Sequence, residues 1–401
     1  MLDFFRKSGM FTKLYIIIYL LIMFSGSTII REQVSNLIVA LVGILIIMTI
    51  GGKFGDSSRI NMKDKVPVVI ILLFSFFLLW QMVSFAYVPT IVWTYVKRYL
   101  IFSLMLIFLP KIDLAVCAIK FSKYYAFIVA CSIILSTVLT GSKSGGLVGD
   151  YQSGGMMMSI SCILFLIDYF NDTNQNINII GILLSLCGLF ISGKRMFALI
   201  VIFSFVIIYF FSEGRNKRTK FFGGVILLIV GVIIMYISVP MVRELLVRIA
   251  TLRGNDTVVT SGRNVLWEKA TEIFDKNKLY GIGFGAFQTY FSDHYNISGI
   301  QAFLTHNIYY GLLAETGIIG FTLYVFFMLY SIVKSICVWK KIKQMEEDKI
   351  KYLCRYSILM QLWFIIYGFT GNGIYDANES FFYFSSIAIM LTLENTIKKD
   401  K

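Results

Sequence analysis

The chain has 401 residues, of which 57% are hydrophobic and 15% charged, with a mean hydropathy of +0.76. An average soluble domain is about a quarter charged, so this balance excludes an ordinary soluble globular protein and points to one that lives in a bilayer. The net charge of +14 in a soluble protein would suggest nucleic acid; in a chain this apolar it reports topology, and no nucleic-acid partner is expected.

A helix needs about 20 apolar residues to cross a hydrocarbon core roughly 30 Å thick. The predicted class is an all-α polytopic membrane protein with about twelve transmembrane helices, 1–401 forming a single integral membrane domain. In chain order the predicted spans are Leu14 to Ile30, Asn36 to Gly51, Val66 to Tyr87, Ile91 to Leu109, Tyr124 to Thr140 and Gly154 to Phe170. They continue with Ile177 to Ile191, Met196 to Phe211, Phe221 to Val239, Asn307 to Tyr330, Ser357 to Phe369 and Phe381 to Ile397. The first imitates a signal peptide, with Arg6, Lys7 and Lys13 ahead of an apolar core and Ser25 and Ser27 after it. More spans follow, so it reads as a retained helix. The pair between Gly154 and Ile191 is the least marked, because its NDTNQNIN connection carries no basic residue.

Basic loops are retained on the cytoplasmic side. With the N-terminus inside, most Lys and Arg fall in inner segments, so both termini are expected to be cytoplasmic. EGRNKRTK and the connection from Lys334 to Arg355 are the main inner anchors, with a solvated, lipid-facing role expected for them. Residues 240–305 then form one large extracytoplasmic loop, of a length that usually carries function. Within it Ser261 is a helix-starting residue, and Leu266, Ala270, Ile273 and Phe274 recur at helical spacing. The prediction is a short amphipathic helix lying at the membrane surface, followed by a tight turn over Gly281, Gly283 and Gly285.

Three features carry candidate chemistry, all on the outer side. Arg263 stands at the start of the loop helix, where free backbone N–H groups and the helix dipole favour an anion and a guanidinium adds a planar fork for phosphate oxygens. A surface Arg stacked over Trp267 is the plain alternative. Lys194 and Arg195, in SGKRMF, interrupt the apolar sequence between two spans. Such a pair commonly snorkels to headgroups, yet its outer position goes against the positive-inside bias. His306, followed by Asn307, opens a long apolar run; an imidazole suits a general base, and the alternative is a histidine bonded to backbone at a helix start. His294 is the rival base. Other polar candidates are Asp150, Tyr151, Lys143, Lys97, Arg98, Glu315, Asp376 and Glu379, with Tyr290, Tyr309 and Tyr310 as sugar-stacking rings.

Several chemistries lack their signatures. There is no GxxxxGK[ST] phosphate loop, and the glycines of GIGFGAF do not follow a strand in a βαβ unit. With no DxD pair or His/carboxylate cluster, no divalent metal and no cofactor are expected. Six cysteines without CxxC spacing indicate neither disulfide nor zinc framework. The Lys/Arg set with one His points to an anionic, phosphate-bearing substrate handled without metal.

SGRNVLWEKATEIFDKNKLYGIGFGAF, followed after a gap by THNIYYGLLAETGIIGF, resembles the core of bacterial O-antigen polymerases and O-antigen ligases. The resemblance rests on an Arg shortly before a Trp, a G-x-G-x-G turn, and His-Asn leading into a helix with E-x-G-x-x-G. It implies transfer of a glycan from undecaprenyl diphosphate to an acceptor hydroxyl at the outer face of the cytoplasmic membrane; direct displacement in such a transfer would invert the anomeric centre. It also implies that Arg195 and Arg263 hold the diphosphate and that His306 is the base; SGKRMF is a shorter match, which leaves Lys194 to share or take Arg195's role. Asn307, Tyr310, Glu315, Asp150 and Tyr151 are then further substrate-binding candidates. The partners implied are lipid-linked oligosaccharide, membrane lipids, a flippase and a chain-length regulator. The Lys/Ile/Phe-rich sequence outside the core match favours a polymerase of O-antigen or capsular repeat units. A ligase delivering finished glycan to lipid A core or protein is the alternative, and a transporter of lipid-linked sugars is the alternative outside enzymes.

Overall fold

The computed structural model describes residues 13–14, 17, 58–59, 65–83, 87–109, 112–141, 145–148, 151–171, 175–213, 216–238, 263–295 and 304–399. The two expected spans before residue 58, apart from isolated positions, and residues 240–262 of the long loop lie outside the described residues. The described helices, in chain order, are α1 (Lys65–Val83), α2 (Pro89–Ile107), α3 (Ile112–Thr140), α4 (Tyr151–Phe170), α5 (Gln175–Ser192) and α6 (Arg195–Phe211). They continue as α7 (Lys217–Ser238), α8 (Arg263–Lys276), α9 (Phe287–His294), α10 (Ile308–Ile342), α11 (Asp348–Tyr367) and α12 (Ala377–Lys399). A two-residue pairing of Ser58–Arg59 with Phe108–Leu109 is the sole strand contact among the described residues.

Four stretches, Ile112–Thr140, Gln152–Phe170, Gln175–Ser192 and Ile308–Ile342, are long and apolar enough to cross a membrane. Large apolar side chains such as Leu79, Leu135, Phe203, Phe210 and Phe326 point outward from their helices. So many exposed apolar residues have a solvent only in lipid, and the chain is a multi-pass membrane protein. The pair with the weakest sequence marking forms two well-defined helices, α4 and α5, joined where Gln175 donates to the Tyr169 carbonyl at 3.0 Å.

The chain falls into two compact units. The first comprises 1–57, 111–253 and 346–359. Here α3 starts at Ile112, well before the predicted Tyr124. Asp113 sits in its first turn, where the helix dipole favours an anion. Lys123, expected in a loop, is buried instead and pairs with Asp168 of α4 while donating to Asn178 of α5 at 3.0 Å. A charge among apolar helices is tolerated when it is paired in this way. The basic stretch from Lys334 to Arg355, predicted as a connection, runs from the end of α10 into α11 and is only partly solvated. Lys340, Lys341 and Lys343 are exposed, but Arg355 is buried and bonds Asn171 and the Phe211 carbonyl.

The second unit comprises 58–110, 254–345 and 360–401. Its central element is α10, 35 residues long with a break at Gly317 (φ 62°, ψ −172°). A break frees backbone groups that hydrocarbon cannot satisfy, so it persists in a membrane protein only where protein supplies partners. The glycine turn supplies them here. Ile282 N–H donates to the Ala314 carbonyl at 3.1 Å, Gly283 N–H to the Glu315 carbonyl at 2.8 Å, and Trp80 Nε1 to the Thr316 carbonyl at 2.8 Å. In return, Ile318 N–H donates to the Lys278 carbonyl at 2.8 Å.

The approach requires glycine on both sides. Gly281 (φ 67°) and Gly317 lie in the left-handed region, and a Cβ on either would run into the other segment's backbone, at Glu315 and Leu279 respectively. The Glu315 side chain then reaches back over the turn. Its oxygens accept from Gly285 N–H at 2.8 Å, Phe287 N–H at 3.0 Å and the Tyr375 hydroxyl at 2.6 Å. Beside it, α8 buries Leu266, Ala270 and Ile273 against Ile282, Phe287, Phe291 and Ala314. The apolar stripe predicted to face the membrane surface is thus covered by protein.

Each buried donor left unpaired costs about 1–3 kcal/mol, and Glu315 satisfies three. Glu315→Ala is therefore expected to destabilise the detergent-purified protein by about 3 kcal/mol or more, and Glu315→Gln by less. Thermal unfolding followed by tryptophan fluorescence checks this, and equal melting of the Ala variant and the parent would refute it.

Candidate functional site

The site residues of the second unit converge on one loop, 368–376, between α11 and α12. His306 N–H donates to Asn372 Oδ1 at 2.9 Å, and Asn372 Nδ2 lies 3.1 Å from His306 Nδ1. Arg263 Nη1 donates to the Thr370 carbonyl at 3.2 Å, and Asn307 Nδ2 to the Phe369 carbonyl at 3.1 Å. Ile308 N–H donates to the Gly368 carbonyl at 2.8 Å. The loop helix that starts at Arg263 therefore folds back onto the segment bearing His306. A second tether confirms the register: Trp267 Nε1 donates to the Thr305 carbonyl at 2.9 Å, and its ring stacks on Tyr310 at 5.6 Å between centroids.

Local sequence explains these positions. Asn307 is the N-cap of α10, its Oδ1 accepting from Tyr309 N–H at 2.9 Å and Tyr310 N–H at 3.2 Å, as Asn does at helix starts. Thr305 Oγ1 donates to the Asn307 carbonyl at 2.8 Å and closes the entry turn. Between them His306 takes φ 50°, the single positive φ among the described non-glycine residues. Such a conformation costs about 1–3 kcal/mol and persists where its surroundings dictate it; here both the backbone and the ring of His306 are gripped by Asn372.

Arg263 commits one of its five donors to Thr370. Burial draws its pKa down, with Tyr367 acting in the opposite direction, and the guanidinium stays charged at any working pH. Arg98 of α2 meets the same loop, donating to the Tyr375 carbonyl at 2.7 Å with its guanidinium over the Tyr95 ring. An always-charged fork, a histidine and an exposed Tyr310 ring next to one another are suited to a substrate that joins a phosphate to a sugar.

The other expected residues divide. Glu315 is buried with both oxygens engaged by protein donors, which is the position of a brace. Asn307 is likewise occupied as cap and tether. Lys194 and Arg195 belong to the first unit. Lys194 is the N-cap residue of α6, with Nζ 3.4 Å from Gln152 Oε1, and Arg195 is the first residue of that helix. Tyr151 opens α4, while Asp150 and Lys143 lie outside the described residues. Asp376 caps α12, accepting from Asn378 N–H at 2.8 Å. His294 stacks on Tyr290 at 4.0 Å, with Nδ1 3.0 Å from the Tyr290 carbonyl. Thr370 and Asn372 escaped the sequence reading. Their one sequence signal was a glycine-flanked Asn in a short loop, FTGNG.

These features define a class: a multi-pass helical membrane protein whose charged site is assembled on short connections at a helix end. Residues 180–325 match the family model described as O-antigen ligase, so that stretch is a domain of the kind shared by O-antigen ligases and polymerases, enzymes that transfer lipid-linked glycans. The matched stretch contains Lys194, Arg195, Arg263, His306 and the glycines of both the turn and the α10 break. No curated protein matches the chain.

Loss of an N-cap costs about 1 kcal/mol. Asn307→Ala, which also removes the bond to Phe369, is expected to destabilise by about 1–2 kcal/mol, and Asn307→Asp, which keeps the cap, by less. Chemical denaturation in detergent checks the order of the two variants, and the reverse order would refute the assignment.

Proposed function

We propose that the protein is a membrane glycosyltransferase that polymerises undecaprenyl-diphosphate-linked repeat units of O-antigen or capsular polysaccharide at the outer face of the bacterial cytoplasmic membrane. The reading includes about twelve spans, both termini cytoplasmic and residues 240–305 outside. The observation that carries it is the common hold of loop 368–376 on Arg263 and His306. As the bond from the anomeric carbon to the diphosphate breaks, its electron pair stays on the diphosphate, where the Arg263 fork balances the charge. The acceptor's hydroxyl oxygen forms the new glycosidic bond from the opposite face, inverting the centre, and His306 handles the proton that this oxygen loses. Arg195, with Lys194, is carried from the family resemblance as a further diphosphate ligand, and Tyr310 as a ring for sugar stacking.

The description of the matching family favours a second reading, a ligase that delivers finished glycan to its acceptor. Deletion in the source bacterium separates the two. Acceptor bearing one repeat unit is expected for the polymerase; unmodified acceptor with accumulating lipid-linked polymer means ligase. Elongation of lipid-linked repeats by purified protein in detergent, with no membrane barrier to cross, excludes a transporter.

Arg263→Lys is expected to lower the transfer rate by about 100-fold, because an ammonium is a point charge without a fork, and His306→Ala by at least as much. Full glycan assembly by both variants at normal membrane levels would overturn the assignment.

A further inference from the structure

The two contacts between Asn372 and His306 fix more than a distance. The backbone N–H of His306 can only donate, so the Asn372 atom 2.9 Å from it is the oxygen. The amide is thereby oriented, and the atom 3.1 Å from His306 Nδ1 is its NH₂ group, which has hydrogens to offer and no lone pair to accept with. A neutral imidazole carries one proton and one lone pair. With Nδ1 accepting, the proton sits on Nε2.

We infer that Asn372 is a positioning residue that holds His306 as its Nε2-protonated tautomer, so that Nδ1 is the basic nitrogen and Nε2 a hydrogen-bond donor. The opposite tautomer would set Nδ1–H against the NH₂ group; turning the amide over to relieve this would set that group against the backbone N–H instead. Either arrangement loses a hydrogen bond and faces two donors toward each other. The positive φ of His306 belongs to the same device, since it lets backbone N–H and Nδ1 of one residue face one amide.

The inference rests on the reading of His306 as the proton-handling group and specifies how it works. A proton leaving the acceptor hydroxyl enters at Nδ1 as the Asn372 amide yields its place. The imidazolium that results has a proton on each nitrogen, and loss of the Nδ1 proton to water restores the starting tautomer and the Asn372 contact.

The chain contains two histidines, and the second serves as an internal contrast. His294 Nδ1 faces the Tyr290 carbonyl at 3.0 Å, which can only accept, so the neutral His294 ring carries its proton on Nδ1. The two rings are thus expected in opposite tautomers.

The test is nitrogen NMR of full-length protein in detergent, labelled with ¹⁵N at histidine and held above the imidazole titration. The expected spectrum holds one Nε2–H ring and one Nδ1–H ring, and His294→Gln removes the latter. Asn372→Asp, which keeps the oxygen for the backbone N–H, places a carboxylate oxygen beside the ring and is expected to turn His306 to Nδ1–H. The same variant should slow transfer by about 100-fold, within the usual range for acid–base groups, at unchanged melting temperature. Asn372→Ala is expected to give averaged ring shifts.

An Nδ1–H ring at His306 in the parent protein, or a ring indifferent to Asn372→Asp, overturns the inference while leaving the catalytic reading to stand on His306→Ala. A parental transfer rate in His306→Ala overturns the catalytic reading, and with it any role of Asn372 in transfer, whatever the spectrum shows.

Discussion

The second unit depends on how a broken helix is made acceptable inside an apolar protein. Gly317 interrupts α10, and the exposed carbonyls of residues 314–316 are met by the glycine turn and by Trp80. Glu315 fastens the arrangement from the other side, with its carboxyl group over Gly285, Phe287 and Tyr375. Remove that carboxyl and two backbone N–H groups and a phenol are left in a space without water. The turn, the start of α9 and the loop before α12 are therefore tied to one side chain. The site is built on what that side chain holds still.

From there the order reaches the chemistry through short steps. Tyr375 belongs to the loop whose earlier residues grip Arg263, His306 and Asn307, and Arg98 closes the loop from α2. Each tether ends on a backbone carbonyl or on a small amide. The loop thus has little freedom to carry the site residues apart, although it contains three glycines and no regular structure of its own.

Much of this was legible in the sequence, because periodicity and glycine are strong local signals. The Arg263 helix, with Leu266, Ala270 and Ile273 on one face, followed from spacing, and so did the turn at Gly281 to Gly285; that this face packs on protein and not at the membrane surface did not. The E-x-G-x-x-G stretch was visible as a pattern, but its physical meaning was not. A glutamate in a span reads equally well as a ligand or as a brace until its partners, 28 to 60 residues away, are known. The same limit hid Asn372, whose importance lies wholly in facing His306 across 66 positions of sequence. Lys123 and Arg355 were misread for a related reason: charge marks a loop in a hydropathy profile, and pairing with Asp168 or Asn171 is a long-range event that no local window records.

The break in α10 also sets a height. As one straight rod, 35 residues would measure about 52 Å at 1.5 Å per residue, far more than a hydrocarbon core of roughly 30 Å. The part beyond Gly317, Ile318 to Ile342, covers roughly 37 Å and suffices to cross alone. The stub from Ile308 to Thr316 is left over as a post of about 13 Å, with His306 at its far end and its foot pinned to the glycine turn. Its length is counted in whole residues. One residue added to the post would swing its top through about 100° and carry the imidazole away from its amide partner, whereas lengthening the crossing part would leave the post as it is. The helix thus acts as two independent rulers, one reading the thickness of the bilayer and the other the elevation of His306.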